Sequence, residues 1–275
     1  MTINKKVSIV ITAYNREDMI IRAIQSVIGQ TYQNIEIIIV DDCSTDNTQQ
    51  VLNSFLNELK YDNIHYLRNE RNKGANFSRN RGIEASTGEY ISFLDDDDEY
   101  FPTKIEEQVQ YMNEYKGSII YCGLALYSNG RFIQNTNLKH EGDLHSKLLV
   151  YNFIGNPSAL LLEKKILIEY GFDNDLPACQ DWDIITRLAK DYKFFNTKSV
   201  LVKINIQEEN SISTGKKLSD GYLMYYKKHI KSYGFFKVIE ALIFYLLVGL
   251  KNRRFFELKK IYYLVSSYFQ QKNYK

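Results

Sequence analysis

Cysteine and histidine are scarce in this 275-residue chain, and their positions exclude several kinds of site. The three cysteines, Cys43, Cys122 and Cys179, are odd in number and form no C-x-x-C pair. We therefore expect reduced thiols in a cytoplasmic protein rather than a disulfide framework. The four histidines lack the spacing of zinc ligands, so any bound metal should have oxygen ligands.

Three longer patterns are also missing. The N-terminal segment MTINKKVSIVITAYNRED enters a strand pattern with no cleavage site of small residues, which predicts that no signal peptide is present. Neither a G-x-G-x-x-G motif nor another glycine-rich loop follows that strand, which argues against a dinucleotide oxidoreductase and a sugar nucleotidyltransferase. The longest apolar run of the C-terminal part, Ala241 to Leu250, has about ten residues, too few to span a bilayer.

Charge is distributed unevenly along the chain, although the formal net charge is only +2. Residues 214–275 contain 13 basic and three acidic residues, a balance of +10. Residues 1–213 contain 22 basic and 30 acidic residues, a balance of −8. The two parts therefore present different kinds of surface, and the sequence predicts a boundary between them.

The N-terminal part alternates strand and helix patterns. Its continuous apolar runs, typical of strands buried on both faces, are followed by amphipathic segments with helical spacing. The predicted strands are VSIVITAY, IEIIIVDD, IHYLRN and YISFLD. Four successive βα units indicate an α/β fold in which a largely parallel, Rossmann-like sheet carries helices on both faces.

Polar residues follow three of the four predicted strands. They are the segments Tyr14 to Arg16, Asp41 to Asp42 and Asp95 to Asp98. Parallel sheets bind ligands at the carboxyl ends of their strands, so this convergence favours a site there. The alternative is that the aspartates, which repel one another, are solvated residues at a helix entry.

Five motifs, in this order and spacing, carry a family resemblance. They are VSIVITAYNRED, IIIVDDCSTDNT, NKGANFSRNRGI, FLDDDDEY and CQDWDIITRLA. Together they resemble family 2 of the nucleotide-sugar glycosyltransferases, which have the GT-A fold, over about residues 5–205. Two departures are Thr12-Ala13-Tyr14, where the family commonly has a proline, and Gln180, where a glutamate usually precedes the catalytic aspartate.

The resemblance implies a domain division. Residues 1–213 would form the GT-A catalytic domain, with a nucleotide-sugar-binding half at about 5–118 and an acceptor-binding half at about 119–213. Residues 214–275 would form a C-terminal helical appendage, basic and aromatic in composition.

The same resemblance assigns roles on the donor side. Carboxylates cannot bind a diphosphate directly, so a divalent cation, Mg²⁺ or Mn²⁺, is expected between them. Asp97 is the expected metal ligand, and Asp95 is expected to face the ribose or the metal's waters. Asp96 and Asp98 alternate with them and are expected to point elsewhere; for these two residues, helix capping or solvation is as good a reading as a place in the substrate site.

Further residues are implied to bind the nucleotide, which is expected to be UDP. Asp41 would accept a hydrogen bond from the N3–H group of uracil, and Tyr14, after Thr12 and Ala13, could stack on the base or simply fill a turn. Arg79 would offset diphosphate charge, whereas Arg81 is expected on the surface.

The acceptor half has one implied catalytic residue, Asp181, at the first turn of a predicted helix. As general base it would take the proton from an acceptor hydroxyl during a single inverting displacement. Its alternative reading is a favourable charge at a helix N-terminus. Asp183 is expected to be a surface or supporting residue.

The expected function is therefore metal-dependent, inverting transfer of a hexose from a UDP-sugar to a saccharide or lipid-linked glycan, in synthesis of a cell-surface polysaccharide. The alternatives are a non-catalytic nucleotide-sugar-binding or scaffold module and a sugar nucleotidyltransferase. The tail could dock on the anionic inner face of the cell membrane or pack on the catalytic domain. Nothing in residues 1–205 indicates nucleic-acid binding.

Overall fold

The computed structural model describes residues 4–59, 61–136, 138–206 and 216–229, together with residues 232 and 239. Its first half contains, in chain order, β1 Val7–Ala13, α1 Ile20–Ile28, β2 Ile35–Asp41, α2 Thr48–Glu58, β3 Ile64–Arg68, α3 Ala75–Ala85, β4 Tyr90–Asp95, β5 Glu99–Tyr100 and α4 Lys104–Glu114. Its second half contains β6 Ile119–Ser128, β7 Arg131–Asn135, α5 His145–Leu148, a 3-10 turn Pro157–Ala159, β8 Leu160–Glu163, α6 Lys164–Tyr170, α7 Gln180–Asp191, β9 Phe194–Ile206 and α8 Lys216–His229.

The nine strands form one mixed sheet. Its order is β3-β2-β1-β4-β8-β6-β9-β5, with β7 paired to β6. The pairs among β1, β2, β3 and β4 are parallel, as is β6 with β9. The other pairs, β4–β8, β5–β9, β6–β7 and β6–β8, are antiparallel. The prediction of a parallel four-strand half is confirmed, and the second half adds the antiparallel strands.

The apolar runs account for the central strands. Every residue of β1 and β2 is buried, because helices cover both faces of the sheet. The chain reverses its direction of winding at β1, which has β2 on one side and β4 on the other. Ligands bind at the carboxyl ends of the strands at such a reversal. The fold therefore places a crevice where β1, β2 and β4 end.

The structure corrects several local predictions. β4 ends at Asp95, and the backbone N–H of Asp98 donates to the Asp95 carbonyl at 3.0 Å, so the aspartates form a tight turn rather than an extended segment. The helices α2 and α4 begin at Thr48 and Lys104. Ser44 does not cap α2 because its hydroxyl and N–H both donate to Asp41.

The first helix of the basic tail, α8, packs on α7, where the ring of Tyr225 stacks on Trp182 at 4.0 Å. Most of the predicted appendage, residues 230–275, lies outside the described residues apart from 232 and 239. Within the described part of the chain, the helices are too short or too polar to cross a bilayer.

Candidate active site

The turn after β4 holds its aspartates in different surroundings. Asp95 accepts a hydrogen bond from Arg79 Nη2 at 2.8 Å. Asp96 accepts from the backbone N–H of Tyr14 at 3.2 Å and from Arg16 Nε at 3.1 Å. The turn is therefore tied both to the end of β1 and to α3.

Asp98 is buried beneath the turn and is structural in its contacts. Its carboxylate accepts hydrogen bonds from Asn156 Nδ2 at 2.9 Å, Ser158 Oγ at 3.3 Å and the backbone N–H of Asn205 at 3.3 Å. It is therefore neither solvated nor a helix cap. Asp96 and Asp98 both act within the site by fixing the turn to its neighbours.

Asp97 differs from the other three. From the described residues, Asp97 receives a side-chain hydrogen bond only at its backbone carbonyl, from Asn205 Nδ2 at 2.7 Å. Burial, and then the nearby Asp95, raise the pKa of its carboxyl group. Burial, and then the neighbouring Asp97, raise the pKa of Asp96 to about 7 although Arg16 opposes the shift. The crowded carboxyl groups resist ionisation together.

The aspartate turn could bind a hard divalent cation whose coordination shell is completed by other ligands. Among the residues that the structure describes, no group of three His, Cys, Asp or Glu side chains forms a complete metal site. Mg²⁺ characteristically takes only one or two protein carboxylates and completes its shell with water and phosphate oxygens. Asp97 offers such a carboxylate, and positive charge there would relieve the repulsion within the turn.

The strand register brings the donor-side residues together. Thr12 is paired with Asp95 of β4, and Ala13 is paired with Asp41 of β2, so both halves of the crevice meet at the end of β1. Tyr14 follows directly and is 41% exposed, which leaves its ring open to a ligand.

Asp41 is fully buried, and protein donors already contact both of its oxygens. Oδ1 accepts from Ser44 N and Oγ at 2.8 and 2.6 Å. Oδ2 accepts from Tyr66 OH at 2.9 Å and lies 3.6 Å from Arg68 Nη1. Since Oδ2 has the longer contacts, it is the oxygen better placed to exchange a partner for a nucleobase. The uracil contact itself stays a prediction.

The two arginines of α3 have distinct positions. Arg79 is buried and reaches across the site, with Nη2 on Asp95 and Nη1 3.4 Å from Gln180 Oε1. Arg81 is half-buried rather than a surface residue. It donates to the Arg68 carbonyl at 2.7 Å and to Asn69 Oδ1 at 2.6 Å, because β3 ends beside α3.

Asp181 lies at the first turn of α7, across the crevice from the aspartate turn. Its Oδ2 accepts a hydrogen bond from Asn152 Nδ2 at 3.1 Å. Burial raises the pKa of Asp181 to about 6, while the Trp182 backbone N–H and the Arg79 charge oppose the shift. A carboxylate with a pKa just below neutral suits a general base.

Asp183 is not a surface residue. It is fully buried and pairs with Arg187 at 2.9 Å, Lys228 at 3.0 Å and His229 at 2.9 Å. Burial opposes ionisation, but these partners outweigh it and lower the pKa of Asp183 to about 2. Its role is supporting, because it fastens α8 to α7.

Sequence reasoning missed several polar residues of the site. Asn152 donates a hydrogen bond to Asp181, whereas Asn156 and Asn205 donate to the aspartate turn. Arg16 pairs with Asp96 of the same turn. Asparagines in loops carry no periodic signal, because they are equally common in ordinary turns. Arg16 differs from the three asparagines, because it lies in the polar segment Tyr14 to Arg16 that the sequence already indicated after the first strand.

Comparison with protein families and curated proteins gives consistent relatives. A family model described as glycosyl transferase family 2 matches residues 8–169, a range that ends before Asp181. The chain is 34% identical over 239 residues to the putative colanic acid biosynthesis glycosyl transferase WcaA of Escherichia coli, with 82% of each protein covered. It is 44% identical over 110 residues to WfaP of E. coli, a UDP-Glc:alpha-D-GlcNAc-diphosphoundecaprenol beta-1,3-glucosyltransferase, over 40% of the chain and 42% of the relative.

Some curated relatives are much longer. The chain spans 36% of the length of two uncharacterised glycosyltransferases from Rickettsia felis and Rickettsia conorii, each 35% identical over 224 residues.

Solved structures share the fold at low sequence identity. S. aureus TarS 1-349 in complex with UDP-GlcNAc has a TM-score of 0.67 and 19% identity, over 87% of this chain and 71% of that one. The mannosyltransferase PcManGT from Pyrobaculum calidifontis, in complex with GDP-Man and Mn²⁺, has a TM-score of 0.68 and 14% identity, over 96% of this chain and 74% of that one.

Proposed function

The chain belongs to glycosyl transferase family 2 and has the GT-A fold, and from that premise we propose that it is a metal-dependent, inverting hexosyltransferase. Its donor is a nucleoside diphosphate sugar, preferably a UDP-sugar. Its acceptor is a hydroxyl of a glycan or lipid-linked saccharide, and its product enters a cell-surface polysaccharide.

The observation that carries this proposal is the meeting of two carboxylate groups at one crevice. The aspartate turn lies at the end of β4, and Asp181 lies in the first turn of α7. Arg79 joins them, since its guanidinium contacts both Asp95 and Gln180. A donor bound at the turn and an acceptor bound near Asp181 would therefore be brought together.

Each group then has a chemical task. Asp97 would hold Mg²⁺ or Mn²⁺, and the cation would offset the negative charge of the departing diphosphate. Arg79, released in part from Asp95, would add positive charge on the same side. Asp181 would accept the proton of the acceptor hydroxyl as its oxygen attacks the anomeric carbon. One displacement without a covalent enzyme intermediate inverts the configuration at that carbon.

The choice of donor and acceptor class is supported by the relatives. TarS binds UDP-GlcNAc, PcManGT binds GDP-Man with Mn²⁺, and WfaP uses UDP-Glc with a diphosphoundecaprenol acceptor. The Asp41 carboxylate is an acceptor suited to the N3–H group of uracil, which favours UDP. The membrane-linked acceptor also gives the basic tail a task.

Titration calorimetry with UDP-GlcNAc and UDP-Glc tests the donor site. Affinity in Mn²⁺ should exceed affinity in EDTA by at least about tenfold, or ~1.4 kcal/mol. Asp97→Ala should abolish the metal effect, whereas Asp62→Ala, at an exposed loop position, should retain it. Equal affinity with Mn²⁺ and EDTA for every UDP-sugar tried would contradict the metal role.

A further inference from the structure

A five-residue loop, Asn152 to Asn156, runs between the two carboxylate groups of the site. Asn152 begins it, and its Nδ2 donates to Asp181 Oδ2 at 3.1 Å. The same amide also closes the loop on itself. Its Oδ1 accepts from the backbone N–H groups of Ile154 and Gly155 at 3.1 and 3.0 Å, and Nδ2 donates to the Gly155 carbonyl.

These contacts determine which way the Asn152 amide faces. If the amide were flipped, its NH₂ group would oppose two backbone N–H donors, and its oxygen would oppose the Asp181 carboxylate. Both contacts would be repulsive. The N–H group is therefore directed at Asp181 by the loop's own backbone, independently of any ligand.

The far end of the loop holds the aspartate turn. Asn156 Nδ2 donates to Asp98 Oδ2 at 2.9 Å and lies 3.4 Å from Asp95 Oδ2. Gly155 sits between the two asparagines with φ +103, and a Cβ there would lie 2.4 Å from Leu124 Cδ1. The backbone of the loop therefore packs closely on Leu124 of β6 at a position that only glycine fits.

We propose that Asn152 is a positioning residue for Asp181, and that the 152–156 loop aligns the base with the donor-binding aspartates. This proposal rests on the proposed function, in which Asp181 is the base. By donating to Oδ2, Asn152 holds the carboxylate plane and stabilises its ionised form. Without that hydrogen bond, the carboxylate loses one of the contacts that orient it and is protonated at higher pH.

Other charges act on Asp181 as well. Among the described residues, Arg79 on α3 favours the ionised carboxylate, and Asp95 at the end of β4 opposes it. The backbone N–H groups at the start of α7 also favour the ionised form. Among the described residues, neither Arg79 nor Asp95 is hydrogen-bonded to Asn152. Replacement of Asn152 therefore changes one contact of Asp181 and leaves the others.

Two substitutions separate the contact with the base from the support of the loop. Asn152→Asp keeps an oxygen that accepts from Ile154 and Gly155, but it loses the N–H donor and places a second carboxylate beside Asp181. Asn152→Leu loses both functions. Phe153→Leu is the matched control. Phe153 lies in the same loop, and its ring packs on the rings of His140 and Tyr151.

The decisive measurement is a pH titration of the full-length protein carrying ¹³Cγ-labelled aspartate, followed by NMR. The Asp181 signal is assigned by its loss in Asp181→Asn. Its midpoint should rise by about one pH unit in Asn152→Leu and by more in Asn152→Asp, as a like charge shifts a carboxyl further. Phe153→Leu should leave the midpoint unchanged.

Transfer is measured in parallel as release of UDP from UDP-GlcNAc or UDP-Glc with Mn²⁺. Both Asn152 variants should lower kcat at least about tenfold at neutral pH, with little change in KM for the donor. An unchanged Asp181 midpoint in the folded Asn152→Asp protein would overturn the inference, whatever Asn152→Leu does. If Asp181→Asn releases UDP at the normal rate, the proposed base is wrong instead, and the two failures are distinguished.

Discussion

Each carboxylate of the candidate site differs in the charge it faces. Asp95 and Asp96 have arginine partners, and Asp98 is held by amide and hydroxyl donors. Among the described residues, the Asp97 carboxylate has no side-chain hydrogen bond or ion pair and only feels the charges of Arg16 and Arg22 from nearby. This supports the proposal that Asp97 is the group that receives an added cation. Residue identity alone does not distinguish four consecutive aspartates, so these surroundings decide their roles.

The pKa of Asp181, about 6, predicts how the rate of transfer depends on pH. A general base works when deprotonated, so kcat/KM should fall about tenfold per pH unit below pH 6 and level off above it. Asp181→Asn should lower transfer by roughly a hundredfold or more and remove this acidic limb. Donor affinity should change little. A normal rate in Asp181→Asn would favour a non-catalytic binding module or a base elsewhere.

Lys104 is an unusual core residue, fully buried on α4. Its ammonium donates to Ser92 Oγ at 2.8 Å and Gln108 Oε1 at 2.7 Å, and it lies 4.0 Å from the centre of the Tyr100 ring. Burial lowers the pKa of Lys104 to about 7, because three neutral partners compensate only part of the lost hydration.

This shift predicts a rise in stability with alkaline pH. In the unfolded chain, lysine has a pKa of about 10.4, so between pH 7 and pH 10 the unfolded state binds more protons than the folded state. The free energy of unfolding should therefore increase across that window. Lys104→Met should flatten the slope, and the exposed Lys116→Met should retain it, as measured by urea unfolding at several pH values.

Among the helices, α8 packs closely on α7. The Trp182 ring of α7 contacts Tyr222, Tyr225 and Tyr226 of α8, with centroids 5.8, 4.0 and 5.8 Å away. Tyr225 OH of α8 also lies 2.8 Å from Oγ1 of Thr186 on α7. Since Trp182 follows Asp181 directly, the packing of α8 supports the turn that carries the proposed base.

Gly221 allows α8 to pack closely against Ala178, just before α7. A Cβ at this position would lie 2.7 Å from Ala178 Cβ and 2.9 Å from the Ala178 backbone. Gly221→Ala should therefore lower stability by about 1–3 kcal/mol through overpacking, although alanine is the better helix former. Thermal unfolding measures this change. Met224→Ala, at an exposed position of α8, should stay within about 0.5 kcal/mol of the original protein.

At the scale of the whole molecule, the acidic catalytic part and the basic tail meet at α8. Residues 233–275 contain eight basic and two acidic residues, and they lie outside the described residues except for 239. Because α8 buries Tyr225 and His229 against α7, the testable tail begins after this helix. Membrane docking stays a prediction for that segment.

Sedimentation with liposomes tests the docking prediction. At low salt, the full-length protein should bind phosphatidylglycerol-containing vesicles and ignore pure phosphatidylcholine, since each basic residue near an anionic surface contributes on the order of 1 kcal/mol. Salt should release it. A chain ending at Ser232 should keep its nucleotide affinity and lose vesicle binding. If the full-length protein ignores anionic vesicles, the tail is a packing or oligomer surface instead.

Sequence by itself determined the parallel half of this protein. The apolar runs of β1, β2 and β4 are long enough and apolar enough that only burial on both faces suits them, and right-handed βα units then bring their ends together. Asp41 and Asp95 to Asp98 were located in this way, and the family resemblance added Arg79. Motif order added Asp181, which no periodic pattern would have related to a strand end 86 residues earlier.

Only the tertiary structure decided the surroundings of these residues. The sequence leaves Asp183 as either a surface or a supporting residue, because a helix period alone does not reveal that α8 packs over it. The contacts of Asn152 and Asn156 depend on how a loop between α5 and β8 crosses the sheet. Such contacts join residues far apart in the chain. Local sequence carries the propensity of each segment, whereas pKa values and hydrogen-bond partners depend on which distant segments become its neighbours.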